Sequence, residues 1–209
     1  MKRIIDKDTW SRKEHFEFFS KIDDPVFGIT AEVDVTRARK KCKENDWSFH
    51  QYYHFLSTQT VNEIEEFRTR IENDTVVLFD EVHTSTTILK DDKTFAFTFV
   101  PKTNTFEEFS KLAVKEFQRA KDSIGMGITE ESKQLNTIHY STLPWINFKG
   151  LKHPLSTSFV DSNPKITFGK MVNTNDVLNM PVAIFGHHGL LDGYHIGLYL
   201  EKFQNLLNS

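Results

Sequence analysis

The chain has 209 residues, 38% hydrophobic and 26% charged, which fits one globular domain with a sizeable core and excludes a disordered chain. Its net charge of −3, from 26 basic and 29 acidic residues, argues against a nucleic-acid-binding role. Phenylalanine supplies 19 residues, so rings must fill a core, an interface or an apolar pocket.

Phe16, Phe19 and Ile22 are spaced for one helical face and predict a helix over residues 10–22, stopped by Asp23-Asp24-Pro25. Residues 27–35 alternate apolar and polar, the pattern of a strand with one buried face. A short basic helix over residues 36–44 follows. Ser48 then caps a longer helix whose stripe carries Phe49, Tyr52, Tyr53 and Leu56. Short strands are expected at residues 75–79 and at Phe95, Phe97 and Phe99. Thr105-Phe106-Glu107-Glu108 is a capping-box pattern opening a helix to about Lys121, and residues 123–135 read as loop. Extended pieces are expected around Tyr140, Phe148 and Phe159. Residues 165–172 and 177–185 form a hairpin about Asn173-Thr174-Asn175-Asp176. Ile196, Leu200, Phe203 and Leu207 place a helix at the end. Strands and helices are therefore mixed, with at least some antiparallel pairing.

Cys42 stands alone, which excludes an intrachain disulfide framework and a cysteine-rich metal site. The first residues lack the apolar core of a signal peptide, and no stretch approaches the ~18 apolar residues of a membrane span. The expected location is the cytoplasm.

Three segments carry candidate chemistry. In the first, the apolar run Pro181-Val182-Ala183-Ile184-Phe185 leads through Gly186 into His187-His188, followed by Asp192-Gly193-Tyr194-His195. A histidine at the end of a buried strand is rigid and partly desolvated, as a general base requires. The pair can equally cap a strand, and His187, His188, Asp192 and His195 could also form a metal cluster. The second segment is Ser141-Thr142-Leu143-Pro144-Trp145, where Ser141 could donate to an oxyanion or be an ordinary turn residue. No G-x-S-x-G elbow surrounds it, which argues against a nucleophilic serine. The third is Trp10-Ser11-Arg12-Lys13-Glu14-His15-Phe16, where Arg12 could pair with Asp192 or lie on a solvated face.

His-His-x-x-x-Asp-Gly after a strand, Ser-x-x-Pro-Trp before it and Trp-x-Arg-x-x-His-Phe near the N-terminus together resemble the classical trimeric chloramphenicol acetyltransferase family. Glu66-Phe67-Arg68-Thr69-Arg70 and Pro164-Lys165-Ile166-Thr167-Phe168-Gly169-Lys170 extend the resemblance along nearly the whole chain. It implies an α/β fold (an α+β two-layer sandwich) with a mixed, largely antiparallel sheet and helices packed on it. It also implies a homotrimer whose active site lies between subunits. Larger members of the superfamily join two such domains in one chain.

By the same resemblance, His188 is the base that takes a proton from an acceptor hydroxyl, which attacks the thioester of acetyl-CoA. Acetyl-CoA is a co-substrate, and no cofactor or metal is held permanently. Ser141 binds the oxyanion, Thr167 supports it through water, and Asp192 pairs with Arg12 to order the loop. Phe18, Phe19, Thr87 and Phe95 fall on acceptor-pocket positions, and Trp145 on the wall near the CoA arm. Departures gather in the acceptor region. Asp23 and Pro25 stand where the family has Leu and Cys, Phe97 where a small residue is usual, and His153 where Leu is common.

Overall fold

The computed structural model describes residues 1–154 and 160–209. In chain order the elements are β1 (Lys2–Ile4), α1 (Lys13–Phe19), β2 (Val26–Asp34), α2 (Thr36–Glu44), α3 (Phe49–Asn62), β3 (Thr69–Glu72), β4 (Thr75–Phe79), β5 (His83–Leu89) and β6 (Phe95–Phe97). There follow α4 (Phe106–Asp122), β7 (Thr137–Leu143), β8 (Lys165–Gly169), β9 (Val172–Thr174), β10 (Val177–His187) and α5 (Gly193–Leu207), with 3-10 turns at Glu65–Arg68 and Glu131–Lys133.

The larger sheet runs β2-β10-β8-β7-β5-β6, with β9 beside β10. Only β8–β7 and β7–β5 are parallel among its named pairs. A second, antiparallel sheet runs β1-β4-β3. The expected mixed, largely antiparallel sheet with helices packed on it is therefore present. The hairpin closes at Asn175 and Asp176, whose φ values of 52° and 65° give the left-handed pair that a two-residue turn demands.

Alternation divides the larger sheet into two faces. One carries Ile138, Tyr140, Ile166, Phe168, Val182 and Ile184, all buried in the main core with Tyr199 and Phe203 of α5. The other carries Ser141, Thr167 and Ala183 in one cross-strand row, and His139, Lys165 and Phe185 in the next.

Helix α3 is buried on every side from Gln51 to Thr58, because it packs against α2, α4, α5 and β5 together. Its cap is the expected one, with Ser48 Oγ accepting from Gln51 N–H. Several of its polar side chains are satisfied from the sheet and from α5. Thr58 Oγ1 lies 2.6 Å from Thr84 Oγ1, His54 Nε2 3.3 Å from Thr86 Oγ1, and Ser57 Oγ within 2.9 Å of the Tyr140 and Tyr199 hydroxyls.

Several expectations need correction. Helix α1 covers only Lys13–Phe19; Trp10 precedes it and packs its ring on Phe16. Phe148 is buried but lies in no strand, and Phe159 is outside the described residues. Phe99 falls beyond β6, next to an isolated bridge between Thr84 and Val100. Cys42 on α2 is fully buried, which pushes its thiol up to about 11 despite nearby Arg39 and Lys41. No helix among the described residues is long and apolar enough to cross a membrane.

Candidate active site

Strand β10 pairs with the whole of β2, from Asn179 opposite Asp34 to His187 opposite Val26. The next residue is tied down too, since His188 N–H donates to the Pro25 carbonyl at 2.8 Å. The two histidines then diverge. His187 is buried, its Nδ1 accepts from Gly189 N–H at 3.1 Å, and burial followed by the neighbouring His188 pushes its pKa down to about 4. It is a neutral, structural imidazole. His188 is half-buried, with its ring between Phe19 at 4.0 Å (8° between planes) and Phe27 at 4.4 Å (30°). Its Nδ1 is covered and has no hydrogen-bond partner among the described residues. Among those residues no three His, Cys, Asp or Glu side chains converge on one point, so the metal-cluster alternative fails.

The loop behind His188 is pinned from both ends. Gly186 permits the close return of this loop, because a Cβ there would sit 2.6 Å from Leu191 Cδ2. Arg12, the residue before α1, is only 11% exposed at its side chain. Its Nη1 donates to Asp192 Oδ2 at 2.8 Å and its Nη2 to the His188 carbonyl at 3.2 Å. Asp192 also caps α5, its Oδ1 accepting from Tyr194 N–H at 3.0 Å, and His195 Nδ1 accepts the Asp192 N–H in return. His195 Nε2 reaches Glu66 at 3.3 Å, which suits an imidazole carrying its proton on that atom. Burial opposes ionisation of Asp192. The Arg12 bond, the His195 ring and the Tyr194 amide outweigh it and hold the carboxyl below its ordinary value.

Ser141 and Thr167 form a second group. They face each other across the parallel β7–β8 pair, with Thr167 buried and Ser141 half-buried. His153 Nε2 lies 3.0 Å from Thr167 Oγ1. This group is far from His188 within one chain. Five residues along β10 at ~3.3 Å each, and two strands across at ~4.8 Å each, separate the backbones by ~19 Å. His188 also stacks on Phe27, which lies opposite Gly186 and packs on the core side of the sheet, away from the row of Ser141 and Thr167.

The remaining candidates scatter around these groups. Trp145 and Thr87 line a cleft of about 650 Å³ with Phe49, His50, Tyr53 and Met180. Phe18 is exposed and stands edge-on to Phe19 at 5.1 Å. Phe95 is exposed and packs edge-on against Phe97 at 5.6 Å. Asp23 is exposed. The sequence reading missed Phe27 as the second plate against His188 and the contact of His153 with Thr167. Phe27 was visible only as one apolar position of an alternating strand.

The chloramphenicol acetyltransferase family model matches residues 2–204. The chain is 27% identical over 209 residues to chloramphenicol acetyltransferase 3 of Escherichia coli, covering 98% of this chain and 96% of that one. It is 29% identical over 204 residues to a chloramphenicol acetyltransferase of Staphylococcus aureus, covering 97% and 94%. A solved chloramphenicol acetyltransferase superposes with a TM-score of 0.91 at 31% identity, over 99% of this chain and 100% of that one. The dihydrolipoamide acetyltransferase of Azotobacter vinelandii shares the fold, with a TM-score of 0.70 at 11% identity over 94% of this chain and 86% of that one. A family model matched over residues 2–204 and a fold matched from end to end at 31% identity place this chain in the chloramphenicol acetyltransferase family of acyltransferases.

Proposed function

We propose that the protein transfers the acetyl group of acetyl-CoA to a hydroxyl of chloramphenicol or a related acceptor. It does so in the cytoplasm as a homotrimer, as one domain, and without a permanently bound cofactor. One observation carries this reading. His188 and Ser141 are each fully built, yet they lie ~19 Å apart on opposite faces of one chain. A base and an oxyanion donor acting on one carbonyl must both reach it within hydrogen-bond range. The His188 of one subunit therefore serves the Ser141 of another.

In this reading, an alcohol with a pKa far above 7 attacks only as its proton leaves, so the His188 imidazole takes that proton. The acceptor oxygen bonds to the thioester carbonyl carbon, and the carbonyl oxygen becomes an oxyanion. The Ser141 hydroxyl donates to it, with Thr167 in support through water. Collapse breaks the C–S bond, the CoA thiolate takes the proton back from His188, and an acetyl ester and free CoA result. Phe19 and Phe27 hold the imidazole plane, while Arg12 and Asp192 hold the loop beneath it. Phe18, Phe19, Thr87 and Phe95 contact the acceptor, and Trp145 walls the CoA arm.

The test is release of free CoA thiol from protein, acetyl-CoA and chloramphenicol. Thiol release that depends on the acceptor is expected. Its absence with chloramphenicol and with a broad alcohol panel overturns the reading.

A further inference from the structure

One rung from Ser141 and Thr167, on the same face, stand His139 and Lys165, about 7 Å along the strands. Lys165 Nζ donates to Asp161 Oδ2 at 2.5 Å, and both side chains are less than a fifth exposed. His153 stands over the neighbouring rung, bonded to Thr167 and edge-on to the Phe185 ring at 4.9 Å. The charges of Lys165 and Asp161 act on both imidazoles, so the four groups share one environment. Burial above all holds both histidines below their ordinary pKa, so both are neutral at pH 7.

Arg70 is the other charge near His139 and Asp161. It is fully buried, and four of its five N–H groups are spent on the carbonyls of Phe67, Thr69, Leu135 and Thr137, so it is sealed from a ligand by burial. The remaining groups are one cation, one anion and two neutral imidazoles. Their charges cancel, so a ligand of either sign meets an opposing group as well as an attracting one. Lys165 spends one of its three N–H bonds on Asp161. The cluster thus offers donors and acceptors side by side, which suits groups that are both at once. An apolar arm placed here would strip water from a charged pair and return no hydrogen bonds.

Building on the acetyl-transfer reading, we propose that His139, His153, Asp161 and Lys165 form an acceptor-specificity element that admits neutral, hydroxyl-rich alcohols of the sugar type, a class beyond chloramphenicol. The reaction is unchanged, and one acceptor hydroxyl becomes an acetyl ester as CoA leaves. The cluster binds the neighbouring hydroxyls.

Thiol release is measured with three acceptors, namely a methyl glycoside, the matching methyl uronoside and chloramphenicol. The enzymes are the wild type and Lys165→Met/Asp161→Leu, which removes both partners of the pair, so that neither is left buried and charged without the other. The wild type should turn over the methyl glycoside, with kcat/KM at least tenfold above that for the anionic uronoside. The double variant should shift the glycoside-to-chloramphenicol ratio of kcat/KM at least tenfold towards chloramphenicol, at an unchanged KM for acetyl-CoA. Turnover of chloramphenicol without the glycoside, a preference for the uronoside, or an unmoved ratio overturns the inference and leaves acetyl transfer standing. Turnover of none of the three overturns both. Should the double variant fail to fold, binding of the glycoside to the wild type, followed by ligand-observed NMR with chloramphenicol as competitor, decides instead. Saturable, displaceable binding supports the inference and its absence overturns it.

Discussion

Asp192 holds two structures at once, and two substitutions separate them. Asp192→Asn keeps a side-chain oxygen able to cap α5 but removes the charge facing Arg12. The lost bond is charge-assisted and joins side chains 11% and 30% exposed, so about 1.5–3 kcal/mol of stability should go. Asp192→Ala removes the cap as well, adding about 1 kcal/mol. Arg12→Met in the Asn background should cost only the bond to the His188 carbonyl, because the pair with Asp192 is already broken. Urea unfolding monitored by circular dichroism gives all three numbers. In the same proteins kcat should fall with stability, since Arg12 also holds the His188 carbonyl. Losses under 0.5 kcal/mol for both Asp192 variants would refute the claim that this pair orders the loop. Equal losses would refute the cap.

Other consequences are simpler to state. His188→Ala should lower kcat by about 10²–10⁴ with its secondary structure intact, and a wild-type rate would remove His188 as the base. Ser141→Ala should cost about 10²–10³ in kcat at an unchanged affinity for acetyl-CoA, measured by calorimetry; an unchanged kcat rejects Ser141 as the donor. His50, His139 and His187 are each held at about 4, first by burial. The unfolded chain binds their protons from about pH 6.5 downward, so stability is lost as pH falls from 6.5 towards 4, by up to about 3 kcal/mol per histidine. A melting temperature flat between pH 7 and pH 4.5 would contradict this. The depressed Asp192 adds a loss only below about pH 4, where its unfolded form takes up a proton first. Gel filtration over a dilution series should show activity lost as the trimer dissociates, and a fully active monomer would end the shared-site reading.

Where the chain announces its structure, it does so through period and caps. The α2 and α4 helices, the hairpin and α5 all follow from spacing, from Thr105 and from the Asn175-Asp176 turn. Strand β5 does not, because its core positions Thr84 and Thr86 are polar and become apolar-compatible only through Thr58 and His54 of α3. β1 and β3 are too short to show alternation. Arg12 and Asp192 lie far apart in the chain, so from the residues their pairing stood level with a solvated face, and only the family resemblance favoured it before the fold did. Asp161 gave no signal at all, since its meaning arises from Lys165 one helical turn's worth of chain away on a different path. His153 stood out as a departure from the family, but its bond to Thr167 joins residues that no periodicity of the sequence connects.

Cys42 turns the protein into its own reporter. The thiol is sealed on α2 and its pKa stands near 11, so at neutral pH the native chain offers a thiol reagent almost nothing. Colour in a CoA-release assay then comes from the product alone. With substrates withheld, slow labelling counts how often the core around α2 opens. Acetyl-CoA binding should retard that labelling in proportion to its occupancy, which gives a binding curve without any dye on the ligand.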